Sequence, residues 1–412
     1  MDTALTRSQF VRWRTAIFAI FFASGLSIAT WASRVPGIKE ALELDNAQVG
    51  LILLGMGLAS IIGISTSPAV MARTGARRGM LLAMLMFAVG IALVGLGANV
   101  FGSVPIVLLG MVLFGFGNGC VDVMMNVEAT AIEQQMGKTI LPVFHALFSF
   151  GTVIGAGIGA LAAGLSVTVA VHSGIVGALI VVIAVICFFQ VPVREAALDP
   201  ENHEKPAFRQ RMHVALEAWR EPRTYLLGVV MLGMSFAEGG ANDWIALGTE
   251  QGHGFPEGTG AVSLAVFSIG MTVLRLFGGP LVDRFGRVLV LRILAVAAAS
   301  GILLFILAPN FPLVLVGAAL WGVGASLGFP LGMSAAADDP AKAAARVSAA
   351  ATIGYVAFLG GPPVLGIISE HIGLLNTLFI LVVLVVASGL FSGAARPLRE
   401  DEKTPAVAVR EG

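Results

Sequence analysis

Twelve runs of predominantly apolar residues follow one another along this chain, near 13–33, 48–71, 79–98, 104–127, 140–164, 167–190, 224–248, 260–282, 287–308, 312–336, 346–368 and 373–394. Runs of about 20 residues match the length a helix needs to cross a hydrocarbon layer. Composition agrees: 57% of the 412 residues are hydrophobic and 12% are charged, about half the charged share of a soluble domain. The 51 glycines suit helices that approach one another closely in lipid. The alternating short strands of an outer-membrane barrel are absent. The expected class is therefore an all-α membrane protein with twelve transmembrane helices. The first run, Thr15–Ala32, is long enough to span and is followed by many more, so it reads as a span and not as a cleavable leader.

The basic residues orient these spans. With the N-terminus placed in the cytoplasm, 22 of the 25 Lys and Arg fall on the cytoplasmic side; Arg34 and Lys39 fall outside and Arg275 lies within a span. Such a bias is what the positive-inside rule demands, so both termini are expected in the cytoplasm. Net charge is zero, which leaves no basic surface for nucleic acid. Cys120 and Cys187 both lie in apolar spans and suggest neither a disulfide nor a metal framework. No cofactor is expected.

The chain also repeats itself. "PIVLLGMVLFGFG" (Pro105–Gly117) and "PLVLVGAALWGVG" (Pro312–Gly324) share seven identities in thirteen positions, 207 residues apart. Span 4 thus mirrors span 10, and Trp31 in span 1 mirrors Trp244 in span 7. Two six-helix halves in one orientation form a parallel repeat. The expected organisation is an N-terminal bundle over 1–191, a cytoplasmic linker over 192–222, a C-terminal bundle over 223–399 and a charged tail over 400–412. In the linker, "FRQRMHVALEAWR" spaces its apolar residues as a surface helix would.

Polar residues inside spans are the candidates for function, because a carboxylate near mid-membrane costs about 2.5–3.5 kcal/mol on insertion scales. "GNGCVDVMMNVEAT" places Asn118, Asp122 and Asn126 four residues apart, one stripe on span 4. A coupling or substrate-binding carboxylate and a structural hydrogen bond both fit Asp122; the first is the working expectation. Glu128 and Glu133 read as solvated helix ends. "FAEGGANDWIAL" brings Glu238, Asn242 and Asp243 into span 7; the repeat aligns Glu238 with Gly25 and Asp243 with Thr30, so these acids break the internal symmetry. Trp244 reads as an interfacial anchor. His145 at the start of span 5 forms a four-residue pair with Ser149 and suits either a proton relay or a headgroup contact. Arg275 in span 8 suits either a cavity counter-charge or, as the expectation here, a side chain snorkelling to the cytoplasmic face. "GASLG" (Gly324–Gly328) matches a hydrolase pattern but falls inside an expected helical span, and "MGKT" (Met136–Thr139) lacks the first glycine of a phosphate loop. No enzyme is expected.

"GPLVDRFGR" (Gly279–Arg287), between spans 8 and 9, resembles the loop signature of the major facilitator superfamily at every defined position. The resemblance covers nearly the whole length and implies the major facilitator fold, with Gly279, Asp283, Arg284, Gly286 and Arg287 steadying one conformation. The first-half loop "AVMARTGARRG" keeps Arg73, Gly75 and Arg78 but carries Ala72 where the acid would stand. "DVMMN" (Asp122–Asn126) is similar to the acid and asparagine of span 4 in the fucose permease branch, and "FHALFSFG" and "EGGANDW" resemble a bacterial subgroup of that branch. The likeness implies a secondary active transporter of a bacterial inner membrane, a monomer that moves a small solute such as a sugar and couples it to protons through Asp122, with sodium the alternative ion. Span 1 lacks the acid of that branch, which leaves Glu238 as the candidate partner. The span-5 signature of drug antiporters is missing from "GTVIGAGIGALAAG", which disfavours drug export. Export of amphipathic compounds and a non-transporting membrane sensor are the competing readings.

Overall fold

A computed structural model describes residues 6–136, 140–193, 218–339 and 342–398. The surface helix expected within 208–220 lies outside the described residues as far as position 217, and so does the tail 400–412.

Among the described residues there is no strand, and eleven helices are long and apolar enough to cross a membrane. One of them, Asn46–Asn99, has 54 residues, roughly 80 Å at 1.5 Å per residue and far more than one bilayer crossing. It breaks at Gly75, whose φ of 73° and ψ of 158° are not helical. Spans 2 and 3 are its two arms, which brings the crossings to twelve. Span 1 is Arg7–Ala32, span 4 Val104–Met136, span 5 Leu141–Gly164 and span 6 Val169–Gln190. Span 7 is Pro222–Leu247, span 8 Thr259–Phe285 and span 9 Arg287–Leu307. Span 10 is split into Phe311–Ala325 and Gly328–Ala336. Span 11 is Ala343–Ile372, and span 12 consists mainly of Phe379–Phe391. A short helix unannounced by hydropathy, Val35–Ala41, has Pro36 in its first turn and lies across the far end of span 1.

The internal repeat is visible in the packing. Spans 3 and 4 touch backbone to backbone, as do spans 9 and 10. A Cβ on Gly110 would stand 2.7 Å from Gly90 O, and one on its repeat mate Gly317 would stand 2.9 Å from Gly301 O. Both pairs need glycine for that approach.

The halves meet along two seams, span 2 against span 11 and span 5 against span 8. The Lys- and Arg-rich loops define a basic side of the molecule; the opposite side is here the far side. On the far side the two halves share one hydrophobic core, in which Trp31, Val35 and Leu53 are continuous with Trp244, Leu264 and Phe305. A separate core of the first half, around Trp13, Phe21, Met84 and Phe144, lies toward the basic side and includes no residue of the second half. The far side is also pinned by polar contacts between halves. Lys39 Nζ donates to Gln251 Oε1 at 2.7 Å, and Asn46 N donates to Glu370 Oε1 at 2.6 Å. No hydrogen bond joins the halves near the basic ends of the helices among the described residues. The described polar contacts between the halves thus concentrate on the far side.

Candidate functional site

A cavity of about 250 Å³ lies between the halves, walled by spans 1, 2, 4, 7 and 11. Its surface is mainly apolar, with Ile28, Leu53, Met56, Ile61 and Leu359 on the walls and the rings of Trp31, Phe114 and Tyr355 among them. Asn118, Asn242, Ser60 and Asp243 add polar groups. Asp243, half-buried, sits one turn from the far end of span 7, so it belongs to the roof of the cavity. The Nε1–H of Trp31 is buried and has no hydrogen-bond partner among the described residues.

The stripe on span 4 leads from this cavity toward the basic side. Asn118 lines the cavity, and Asp122 follows one helical turn, roughly 6 Å, further on. Asp122 is exposed and makes no hydrogen bond to another span among the described residues. Asn126 Nδ2 donates to the Asp122 backbone oxygen at 2.8 Å and lies 3.5 Å from its Oδ1. The four-residue spacing lines the three polar groups up along span 4, with Asn118 at the cavity wall.

Glu238 stands differently. Arg275 Nη2 donates to Glu238 Oε1 at 2.8 Å, and both side chains are mostly shielded. Arg275 does not snorkel; it balances the acid within the membrane. The same guanidinium donates through Nε to Ser326 O at 3.0 Å and reaches Ser149 Oγ of the first half at 3.5 Å. Ser326 lies in the break that splits span 10, so "GASLG" is not a continuous helix. Its carbonyl, freed from the helix ladder, takes its hydrogen bond from Arg275, as irregular backbone at membrane depth requires. His145 lies edge-on to Phe21, ring centroids 5.3 Å apart, and within electrostatic range of Arg275. The structure thus gathers His145, Ser149, Arg275 and Glu238 along the seam of spans 5 and 8, apart from Asp122 and Asp243.

The loop residues expected to gate divide into backbone and charge. Gly286 has φ 77° and ψ 154°, nearly the values of Gly75, in a region that only glycine occupies without strain. Gly279 has no neighbour within 4 Å of where a Cβ would be, so it serves no tight packing here. Asp283 is exposed and forms no ion pair among the described residues; Arg284 rests over Phe285 at 5.3 Å. Arg287 alone of this group is braced, by Asp338 at 2.7 Å. Arg223 reaches the other oxygen of Asp338 at 2.9 Å. Nearby, Glu221 receives Arg346 Nε at 2.5 Å and Lys342 Nζ at 3.2 Å. Burial pushes the Glu221 carboxyl up, but the hydrogen bonds from Arg346 and Lys342 outweigh it and hold it below the usual carboxylate range. Arg73 is exposed on the corresponding first-half loop, where Arg77 stacks over Phe188 at 4.1 Å.

Three further expectations change. Glu128 is buried and accepts a hydrogen bond from Trp13 Nε1 at 2.7 Å, so it ties span 4 to span 1 and is no solvated end. Glu133 accepts from Ile140 N at 2.7 Å and caps the start of span 5. Trp244 is fully buried in the core and is no interfacial anchor. The pairing of Arg275 with Glu238, 37 residues apart, was the feature least legible in advance; its one signal was the presence of a single cation and a single deep acid in neighbouring spans of the same half.

This helix order, repeat and central cavity define a multi-span membrane transporter. The family model of the Major Facilitator Superfamily matches residues 16–266 and 252–411, and the chain belongs to that family. It is 31% identical over 367 residues to an uncharacterised transporter, y4wD, of Sinorhizobium fredii, covering 87% of this chain and 91% of that protein. It is likewise 31% identical over 355 residues to an MFS-type transporter of Yersinia pestis, covering 85% and 87% of the two chains. Among solved structures, a mutant of the nucleoside transporter NupG superimposes with a TM-score of 0.74 at 15% identity, over 92% of this chain and all of that one. The transporter FucP in its outward conformation superimposes with a TM-score of 0.63 at 17% identity, over 94% and 99%. These structural likenesses concern the fold.

Proposed function

We propose that the chain is a secondary active transporter of a bacterial inner membrane, with its basic side and both termini in the cytoplasm, that moves a small solute by rocking its halves about the central cavity and couples that movement to the proton charge of Asp122. The observation that carries this reading is the stripe Asn118–Asp122–Asn126, which starts at the cavity wall and continues along span 4 toward the basic side with the carboxylate exposed. A carboxylate whose surroundings alternate between cleft water and a closed seam changes its proton affinity with conformation, which is the physical requirement for coupling. Glu238 has a different task in this scheme. Its charge is matched by Arg275, so it holds span 8 and the broken span 10 in place and does not carry the exchanged proton.

The likeness to the fucose:proton symporter and nucleoside transporter structures raises a polar solute, but the apolar walls favour a second reading, an amphipathic one. The test uses proteoliposomes loaded with a pH-sensitive dye, with fucose, a nucleoside and small aromatic amines added in turn. An active solute should drive proton movement in the wild type. Asp122→Asn should lose the proton movement and keep solute counterflow. Proton movement unchanged in that variant would remove Asp122 from the coupling role, and flux that follows a sodium gradient at constant pH would assign coupling to sodium.

A further inference from the structure

The solute's charge can be read from the same cavity; this inference rests on the transport reading above and adds a chemical class to it. Asp243 is the one charged side chain among the described residues that line the cavity. No cation stands among them, and Arg275 of span 8 is already engaged by Glu238 and the Ser326 carbonyl. An anionic solute would therefore meet a carboxylate and find no counter-charge. A sugar would press most of its hydroxyls against Ile28, Leu53, Met56 and Ile61, and each unmatched hydroxyl loses its hydrogen bonds to water. A wholly apolar solute would leave the Asp243 charge desolvated and unpaired.

One chemistry satisfies the whole wall. A cation is attracted by the carboxylate and can rest against the aromatic rings of the lining, Trp31, Phe114 and Tyr355, while an aliphatic or aromatic body fits the remainder. We propose that the cavity binds a small cationic amphiphile, its protonated amine against Asp243 at the roof and its apolar body among the rings and aliphatic side chains of spans 1, 2, 4 and 11. The cavity, about 250 Å³, lies at or below the lower end of the roughly 300–1,000 Å³ typical of ligand pockets, so the solute is small, of the size of one ring with a short chain. Asn118 and Asn242 are placed to orient a further polar group.

Four probes of similar size separate the possibilities on the purified chain in nanodiscs, read by thermal shift and tryptophan fluorescence: phenethylamine, phenethyl alcohol, 3-phenylpropanoate and fucose. Phenethylamine should stabilise the protein and bind about tenfold or more tightly than the alcohol, since loss of a desolvated charge partner costs at least that factor; the propanoate should not bind. Asp243→Asn should erase the preference for the amine, and Asp243→Glu should restore part of it, while both variants keep the melting temperature of the unliganded protein within a few degrees. Equal binding of amine and alcohol, an amine preference that survives Asp243→Asn, binding of fucose alone, or binding of none of the four would each overturn the proposal. The transport reading is tested separately, by proton movement and its loss in Asp122→Asn, so a wrong solute class and a wrong mechanism give different results.

Discussion

The loop between spans 2 and 3 and the loop between spans 8 and 9 share a backbone and differ in their surroundings. Gly75 and Gly286 hold nearly the same dihedral angles, φ 73° and 77°, ψ 158° and 154°. Around Gly286 the second half builds an ion-pair cluster: Asp338 holds Arg287 and Arg223, and Glu221 holds Arg346 and Lys342. Around Gly75 the first half has Ala72 in place of an acid, an exposed Arg73, and Arg77 stacked on Phe188. Repetition has kept the turn that the chain path needs and let the charges diverge. The second half is braced on its basic side by electrostatics, the first half by packing around Trp13 and Phe144 and by the Trp13–Glu128 hydrogen bond.

The sharpest break in that comparison is Asp338→Ala. Its carboxylate is 10% exposed and serves two guanidinium groups, so its loss should cost about 2–4 kcal/mol, most of it from two cations left without a partner. Thermal melting would show this as a marked fall in midpoint. The glycines come next. Gly286→Ala and Gly75→Ala should each cost about 1–3 kcal/mol, and by similar amounts, because the strain lies in φ and not in crowding. A large inequality between the two would mean that the loops are less alike than their angles.

Acid should then separate the halves. The folded pKa of Glu221 lies below its unfolded one, so the stability it adds is complete above the unfolded value of about 4.3 and drains away as pH falls through the folded value. Melting midpoints followed from neutral pH down to about pH 3 should fall more steeply in the wild type than in Glu221→Gln. The smallest effect belongs to Arg77→Ala, which removes a stacked cation at the first-half loop and should cost about 0.5–1 kcal/mol.

The two acids of the membrane interior show how far sequence reading reaches. Spans were legible because a bilayer asks only for length and hydropathy, and the break at Gly75 was signalled by the charged loop around it. The alignment of Asn118, Asp122 and Asn126 with one another was legible too, since they lie on one helix and spacing alone aligns them. Glu238 was not legible in the same way: its partner, Arg275, is on another helix, and only the rotation of spans 7 and 8 decides whether they meet. The split of span 10 did have a local signal, Pro330: four residues after Ser326, it has no N–H for the Ser326 carbonyl, which is left to accept from Arg275. The apolar character of the cavity is likewise a sum over five spans. It argues for an amphipathic solute although the span-5 run lacks the drug-antiporter signature.

Asp122 as a cleft acid that changes its charge can be tested without knowing the solute. Infrared difference spectra of the purified protein, recorded between about pH 5 and about pH 9, report each carboxyl that gains or loses a proton over that interval. The wild type should show a reversible carboxyl band that disappears in Asp122→Asn and survives in Asp243→Asn. A spectrum in Asp122→Asn identical to that of the wild type would contradict the coupling role assigned to this residue.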